Sequence, residues 1–388
     1  MNKKRKILFV QEKFGNISEV FLYRLITGIN VFDVEVLTEN YINRNHFPFD
    51  INALTLWKDP VVPNFKKIIP FIRKKLKLKG SYSSKSKQII EIINNSDADL
   101  ICFQFGFLPV MMGSDFEKIR KKTCIIHHGT DVNKAVEDKL YYKRLLPIWE
   151  KTDKIIFSSY FLMKTAHDLG CSTVKSVVNY IGVPTLSLEK YLPRANMPFR
   201  FICVARMVPV KNHITLIKAF SQLIKETNRS IELVLVGSGE LEAYISHTID
   251  VLKINKDIRL TGALNSQDTL LEIAKSDCSI LVSAPYVVPN VMRQEEALGL
   301  SLIEGGGMGL PMIGSKSGGI PEIVLDGITG YLVEPLDSLQ LKEAMLKILL
   351  DPEKSKEMGK NAAQLVQKKF DLLKQNKKFE NIFMDIIS

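Results

Sequence analysis

Short apolar runs and longer amphipathic stretches alternate along this chain twice over, and few folds accommodate that rhythm. In the first half the apolar runs are residues 6–10, 34–38, 100–105, 124–128 and 155–158. Between most of them lie segments with helical spacing, such as 19–29, 88–95 and 140–151. The second half repeats the alternation with runs at 201–205, 233–236, 258–260, 279–282, 311–313 and 331–333. Strands that alternate with helices pair in parallel and are joined by crossover helices. At 388 residues the chain is too long for one ordinary core. The pattern predicts an α/β protein of two doubly wound domains with a cleft between them. We place the first over residues 1–190 and the second over 191–369, with a terminal helix over 370–388 whose docking place stays open. The proline-bearing stretch 184–198 reads as the linker.

Hydrophobic content of 46% with 24% charged residues reads as soluble and globular. No apolar run reaches the roughly 18 residues that span a bilayer. The start, MNKKRKILFVQEKF, has an apolar stretch of only Ile7 to Val10 before charge returns, so it reads as a first strand and not a secretion signal. Cys102, Cys124, Cys171, Cys203 and Cys278 are scattered, as expected of reduced thiols in the cytoplasm. The six histidines form no ligand-spaced cluster with them, so no metal is expected. The net charge of +11 is uneven. Residues 1–190 hold 30 Lys and Arg against 19 Asp and Glu, and the remainder holds 23 of each. A basic half and a neutral half point to two different partners.

The chemistry concentrates in the second half. Glu296 and Glu304 flank the stretch EALGLSLIE, after a strand-like run that ends near Ser283. The first acid then falls in a loop at a strand's carboxyl end and the second on the following helix, where open α/β sheets bind ligands. Glu295 is a neighbouring alternative for the first acid. Arg206 ends a strand and Lys211 follows five residues later, a pair suited to a diphosphate, although spacing alone also allows two surface cations near a turn. Gly237 and Gly239 form a glycine turn from strand to helix, either for ligand approach or simply a tight turn. Gly318-Gly319-Ile320-Pro321-Glu322 is a similar turn, read as structural. Gly305-Gly306-Gly307 costs a helix about 1 kcal/mol per glycine. This implies close packing against a strand or ligand, or a helix that ends early.

In the first half, His128 follows a strand beside Gly129 and faces the predicted cleft, either to bond a sugar hydroxyl or phosphate or as a satisfied structural histidine. His127 points the other way and reads as structural. Gly15 allows close approach of the first loop to a ligand, and Ser18 is a plausible helix cap. Residues 64–80, NFKKIIPFIRKKLKLKG, carry seven positive charges and no acid. Such a stretch suits an anionic membrane surface, or a solvated basic helix packed by its apolar side.

Taken in order, Arg206…Lys211, Gly237-Ser-Gly239, Thr261-Gly262, Glu296-x7-Glu304, Gly309-Leu-Pro311 and Gly318-Gly-Ile-Pro-Glu322 resemble the retaining glycosyltransferases of the GT-B fold, the fourth family of the sugar-enzyme classification. FGNISEVFLYRL and HHGTDVNK are similar to its exopolysaccharide and colanic-acid branch. The resemblance implies two Rossmann-like domains and a nucleotide-diphosphate sugar donor, with UDP or GDP as the first candidates. It implies that Arg206 and Lys211 hold the diphosphate, that Glu304 binds the ribose, and that Glu296 and the backbone of Ala297, Leu298, Gly299, Leu300 and Ser301 lie by the donor sugar. His128 would touch that sugar from the opposite domain, Gly15 would admit the diphosphate, and the segment from Thr261 to Leu264 would lie near the base. No cofactor or metal is implied. The chain departs from the family where Glu-Gly becomes Glu296-Ala297 and Ala-Met-Ala becomes Gly305-Gly306-Gly307.

The expected activity is sugar transfer to a hydroxyl of a glycan, lipid-linked, in surface polysaccharide biosynthesis (capsule, exopolysaccharide or lipopolysaccharide). The enzyme would sit in the cytoplasm, peripherally on the inner membrane face. The competing readings are a GT-B-fold sugar-nucleotide epimerase, a phosphorylase-like enzyme, or a non-catalytic basic protein that binds membrane or nucleic acid. Nucleic acid is disfavoured because no binding motif accompanies the charge.

Overall fold

The computed structural model describes residues 4–57, 82–184 and 198–388. The basic stretch 64–80 and most of the expected linker lie outside these residues.

Two parallel sheets organise the chain. The first holds β1 (Lys6–Phe14), β2 (Asp33–Tyr41), β3 (Leu54–Leu56), β4 (Leu100–Gln104), β5 (Lys122–His127), β6 (Lys154–Phe157) and β7 (Ser176–Val178), in the order β3-β2-β1-β4-β5-β6-β7. The second holds β8 (Phe199–Val204), β9 (Ile231–Val236), β10 (Ile258–Gly262), β11 (Cys278–Leu281), β14 (Met312–Ser315) and β15 (Gly330–Val333), in the order β10-β9-β8-β11-β14-β15. β12 (Tyr286–Val288) and β13 (Met292–Gln294) form a separate antiparallel hairpin. Central strands such as β4 are buried along their whole length, as expected when helices cover both faces of a parallel sheet.

The alternation of the sequence is thus the alternation of the fold. It misses β3, β7 and the hairpin, each only three residues long and partly exposed. Ser18 does not occupy the cap position. A 3-10 turn over Ile17–Glu19 precedes the first helix, Val20–Thr27, and the cap falls on Glu19.

In each sheet the strand order reverses at one point, between β1 and β4 and between β8 and β11. Loops leaving the carboxyl ends on either side of such a point splay apart and open a crevice. Both crevices face the same cleft, and every candidate chemical group described below leaves one of these strand ends or a neighbouring one.

The final helix, Leu372–Ile387, packs on the first sheet. Phe383 meets Phe9 with ring centroids 6.0 Å apart, and Glu380 accepts hydrogen bonds from the backbone N–H of Asn30 (2.7 Å) and Val31 (3.0 Å). The return segment runs beside the end of the first module. Val183 donates to the Phe370 carbonyl (2.8 Å), and Leu372 donates to the Val183 carbonyl (3.0 Å).

Candidate active site

The Arg206 loop is shaped by the glycine turn beside it. The N–H groups of Ala205 and Met207 donate to the carbonyls of Val236 and Ser238, both at 2.9 Å. A Cβ on Gly237 would stand 2.1 Å from the Ala205 carbonyl oxygen, and one on Gly239 would stand 2.5 Å from that of Met207. The close approach of two backbones therefore demands both glycines. They line up the Arg206 loop and do not themselves line the cleft cavity described below.

Lys211 ends a 3-10 turn (Pro209–Lys211), and its ammonium group pairs with the carboxylate of Glu296. Ser283 Oγ donates to the same carboxylate oxygen at 2.7 Å. Burial pushes the Glu296 carboxyl up, but Lys211, Ser283 and the charge of Arg206 together hold it below its ordinary range. Glu296 is therefore an ionised acceptor fixed against the cation. Glu295 faces elsewhere. Its side chain is gripped by Arg293 at 2.8 and 2.9 Å, and its carbonyl accepts from Asn133 at 3.0 Å. Arg206 is exposed and makes no ion pair among the described residues.

The glycine pair 318–319 clasps the Glu296 loop. Gly319 N–H donates to the Glu296 carbonyl at 2.9 Å, and a Cβ on Gly318 would fall 1.9 Å from that oxygen. The following helix, Leu300–Gly307, starts from Gly299 in a left-handed conformation (φ 99°), and Gly299, Leu300 and Ser301 at its start line the cleft. The triple glycine is explained by packing. Cβ atoms on Gly305, Gly306 and Gly307 would meet Ser279 at 2.6 Å, Met312 at 2.9 Å and Val366 at 3.2 Å, and the helix ends at Gly307. Both structural alternatives read from the sequence thus hold together.

Glu304, on this helix, faces a cation from the other module. Arg24 Nη1 lies 3.5 Å from its carboxylate, and Arg24 Nη2 donates to Ser266 Oγ at 2.8 Å. Burial raises the Glu304 carboxyl above its ordinary range, and Arg24 opposes that rise only in part. Thr261 and Gly262 end β10, at the far edge of the sheet, and do not line the central cavity. Gly262 receives the Gly237 N–H at 2.9 Å. The Arg24–Ser266 bond nonetheless ties the segment just beyond them to Glu304.

The facing wall comes from the first module. His127 is sealed in its core, with Nδ1 2.6 Å from Asp131 and Nε2 accepting from Trp149 Nε1 at 2.8 Å. An indole N–H can only donate, so Nε2 is the acceptor and Nδ1 donates to Asp131. His128 lies between the rings of Phe21 and Phe105 and borders the cleft, with Nε2 2.8 Å from the Gln104 side-chain oxygen. Burial lowers its pKa to about 3, so its ring is neutral. Gly129 approaches Ala297 so closely that a Cβ on it would stand 2.6 Å from the alanine methyl. The alanine that departs from the family pattern is thus seated directly on the opposite wall. Gly15 serves a local purpose. With φ at 83°, a Cβ there would fall 2.2 Å from the Ile42 carbonyl.

Between the walls lies a cavity of about 490 Å3, bordered by Glu19 and His128 on one side and by Arg206, Lys211, Glu296, Leu298, Gly299 and Leu300 on the other. Residues 188–365 match the family model for glycosyl transferases group 1. The amylovoran biosynthesis glycosyltransferase AmsK of Erwinia amylovora is 23% identical over 376 residues, 88% of this chain and 90% of AmsK. N-acetyl-alpha-D-glucosaminyl L-malate synthase of Bacillus anthracis is 27% identical over 280 residues, covering 70% and 69% of the two chains. The solved structure of Anabaena Alr3699/HepE in complex with UDP and glucose shares the fold at a TM-score of 0.76 and 16% identity, over 98% of this chain and 100% of that one. The chain is a glycosyltransferase of the GT-B fold.

Three parts of this glycosyltransferase's cleft escaped the sequence reading. Ser283 looked like the end of a strand. Arg24 is the one charge in the helix VFLYRLIT, and a lone cation in an apolar stretch is the signal that points to a specific partner. Glu322 was read as part of a turn. It reaches across the cleft and accepts from the N–H groups of Tyr160 (3.0 Å) and Phe161 (2.8 Å) and from the Tyr180 hydroxyl (2.9 Å).

Proposed function

We propose that the enzyme transfers a sugar from a nucleotide-diphosphate donor, UDP or GDP being the first bases to test, to a glycan hydroxyl with retained anomeric configuration. The observation that carries this reading is the arrangement of Arg206 and Lys211 at one strand end, opposite the Gly299 helix start and beside an ionised Glu296. Departure of the diphosphate builds negative charge, which Arg206, Lys211 and the N–H groups of Leu300 and Ser301 stabilise. No metal is needed for that task. Glu296 accepts hydrogen bonds from the donor sugar, Glu304 accepts from the ribose, and His128 closes the sugar's other side. The segment from Thr261 to Leu264 flanks the base. The acceptor oxygen attacks the anomeric carbon from the face the phosphate leaves, and the acceptor's proton departs with the diphosphate.

Thermal-shift and calorimetric titration with UDP, GDP, ADP, CMP and their sugar conjugates tests the donor. Binding of none of them overturns the reading, and so does inversion at the anomeric carbon for the stereochemistry.

We further read the acceptor as lipid-linked and the enzyme as a peripheral protein of the inner membrane face, working in surface polysaccharide biosynthesis. Support comes from the charge of residues 64–80 and from the amylovoran biosynthesis name of AmsK. No helix among the described residues is long and apolar enough to cross a membrane. Flotation with liposomes containing phosphatidylglycerol tests the association, and failure to co-float at low salt overturns it.

A further inference from the structure

A second cavity, of about 270 Å3, opens beside the first at the carboxyl ends of β1 and β4, the point where the strand order of the first sheet reverses. Glu19, Phe105 and Thr130 border both cavities, so the two spaces share a wall. Gln104, which also lines the second cavity, is the partner of His128 in the first.

The telling residue is Gln11 on β1. It lines the second cavity, is only 3% exposed, and neither its amide nitrogen nor its amide oxygen has a partner among the described residues. A buried amide with both ends unmet is unusual in a folded protein. It calls for a group that donates and accepts at once, and adjacent hydroxyls do so. Glu19 and Thr130 add further hydrogen-bonding groups, and Phe105 and Phe107 add apolar ring faces. Hydroxyl partners set among aromatic faces match a pyranose, whose edge is polar and whose face carries C–H groups.

We propose that this cavity holds the terminal sugar of the acceptor and that Gln11 is a specificity-determining residue, bound to a pair of that sugar's hydroxyls. The inference rests on the transfer reading above, since an acceptor here would present a hydroxyl across Glu19 to the donor cavity. Glu19 suits that border. Burial raises its carboxyl, and Asn16, Lys13 and Arg206 offset only part of the rise.

The test uses the full chain, with and without saturating UDP or GDP, and phenyl glycosides of glucose, galactose, mannose and N-acetylglucosamine as probes. Saturation-transfer difference spectra report their binding. At least one glycoside is expected to bind, and Gln11→Leu is expected to weaken it at least tenfold. The variant should keep its nucleotide affinity within twofold, and its melting temperature should not fall, because leucine removes two unmet polar atoms. Gln11→Asn, which retracts the amide by one methylene, should weaken the same glycoside in the same direction. If no glycoside binds, or if Gln11→Leu binds it as well as the unaltered protein, the inference is overturned and the amide is met by water alone. Absence of nucleotide binding would instead overturn the donor reading, which the glycoside titration without nucleotide keeps separate.

Discussion

The guanidinium of Arg24, on one side of the cleft, stands 3.5 Å from the carboxylate of Glu304 on the other. Each side chain is less than one-fifth exposed, so solvent screens the pair only weakly. Arg24 opposes the burial that raises the Glu304 carboxyl, and under the proposed function an ionised Glu304 is the acceptor for the ribose hydroxyls. Arg24→Ala should therefore weaken nucleotide binding about tenfold near pH 6, a loss of about 1.4 kcal/mol. The sign follows from the direction of the shift. A carboxyl raised further gains its proton at higher pH, so affinity in the variant should fall earlier on acidification and recover toward pH 8.5. Calorimetry across that range checks this, and parallel profiles for variant and parent would sink it.

Lys211 and Glu296 form a well-shielded ion pair in the cleft cavity, with side chains 16% and 11% exposed. Lys211→Met should leave an unpaired carboxylate in a low-dielectric pocket and cost about 2–3 kcal/mol of stability. Adding Glu296→Gln should restore most of that stability while transfer stays at least a thousandfold down. Arg206→Ala, at an exposed residue without an ion pair among the described residues, should abolish transfer with little change in stability. Near-normal turnover in either cation variant would remove the diphosphate assignment.

His128 makes the fold sensitive to acid. Its pKa lies near 3 in the folded chain against 6.5 for an ordinary histidine. The unfolded chain thus binds the extra proton first, and stability is lost as pH falls below about 6.5. The loss at pH 5 is up to about 2 kcal/mol. His128→Gln keeps a donor near Gln104 but cannot titrate. The drop in melting temperature between pH 7 and pH 5 should shrink by several degrees in that variant, and an unchanged drop would exclude His128 as the source.

The triple glycine offers a graded test. Gly305→Ala forces a methyl to within 2.6 Å of Ser279 on β11 and should destabilise by about 2 kcal/mol. Gly307→Ala meets only Val366 at 3.2 Å, and its better helix propensity of about 1 kcal/mol should leave stability nearly unchanged. Denaturant midpoints of the two variants check the order, and equal effects would contradict the packing account.

The strand–helix alternation was legible because parallel sheets bury both faces, which turns their strands into dense apolar runs. The short edge strands and the hairpin escaped because three half-exposed residues carry no such run. Glu296, Arg206 and Lys211 were picked out by their places after strand ends together with the family resemblance, since spacing alone left the two cations open, and the three line one cavity. The reason for each glycine was not. Gly15, Gly237, Gly239 and Gly318 answer to a carbonyl far away in sequence, and nothing local encodes that neighbour. Arg24 and Glu322 were missed for the same reason, since their partners are supplied by the other module.

The chain crosses between its modules twice, once after Val183 and again at Phe370 to Leu372, and backbone hydrogen bonds join the crossings to each other. A Cβ on Gly182 would stand only 2.5 Å from the Leu372 Cα, so the two strands of connection lie almost in contact. Two tethers fixed side by side act as a door's hinge pin. Tethers held this way favour rotation about one line over sliding or twisting. Any opening about that line would part Arg24 from Glu304, Gly129 from Ala297 and Glu322 from the Tyr160 helix together, and closure would have to restore all three in the same register.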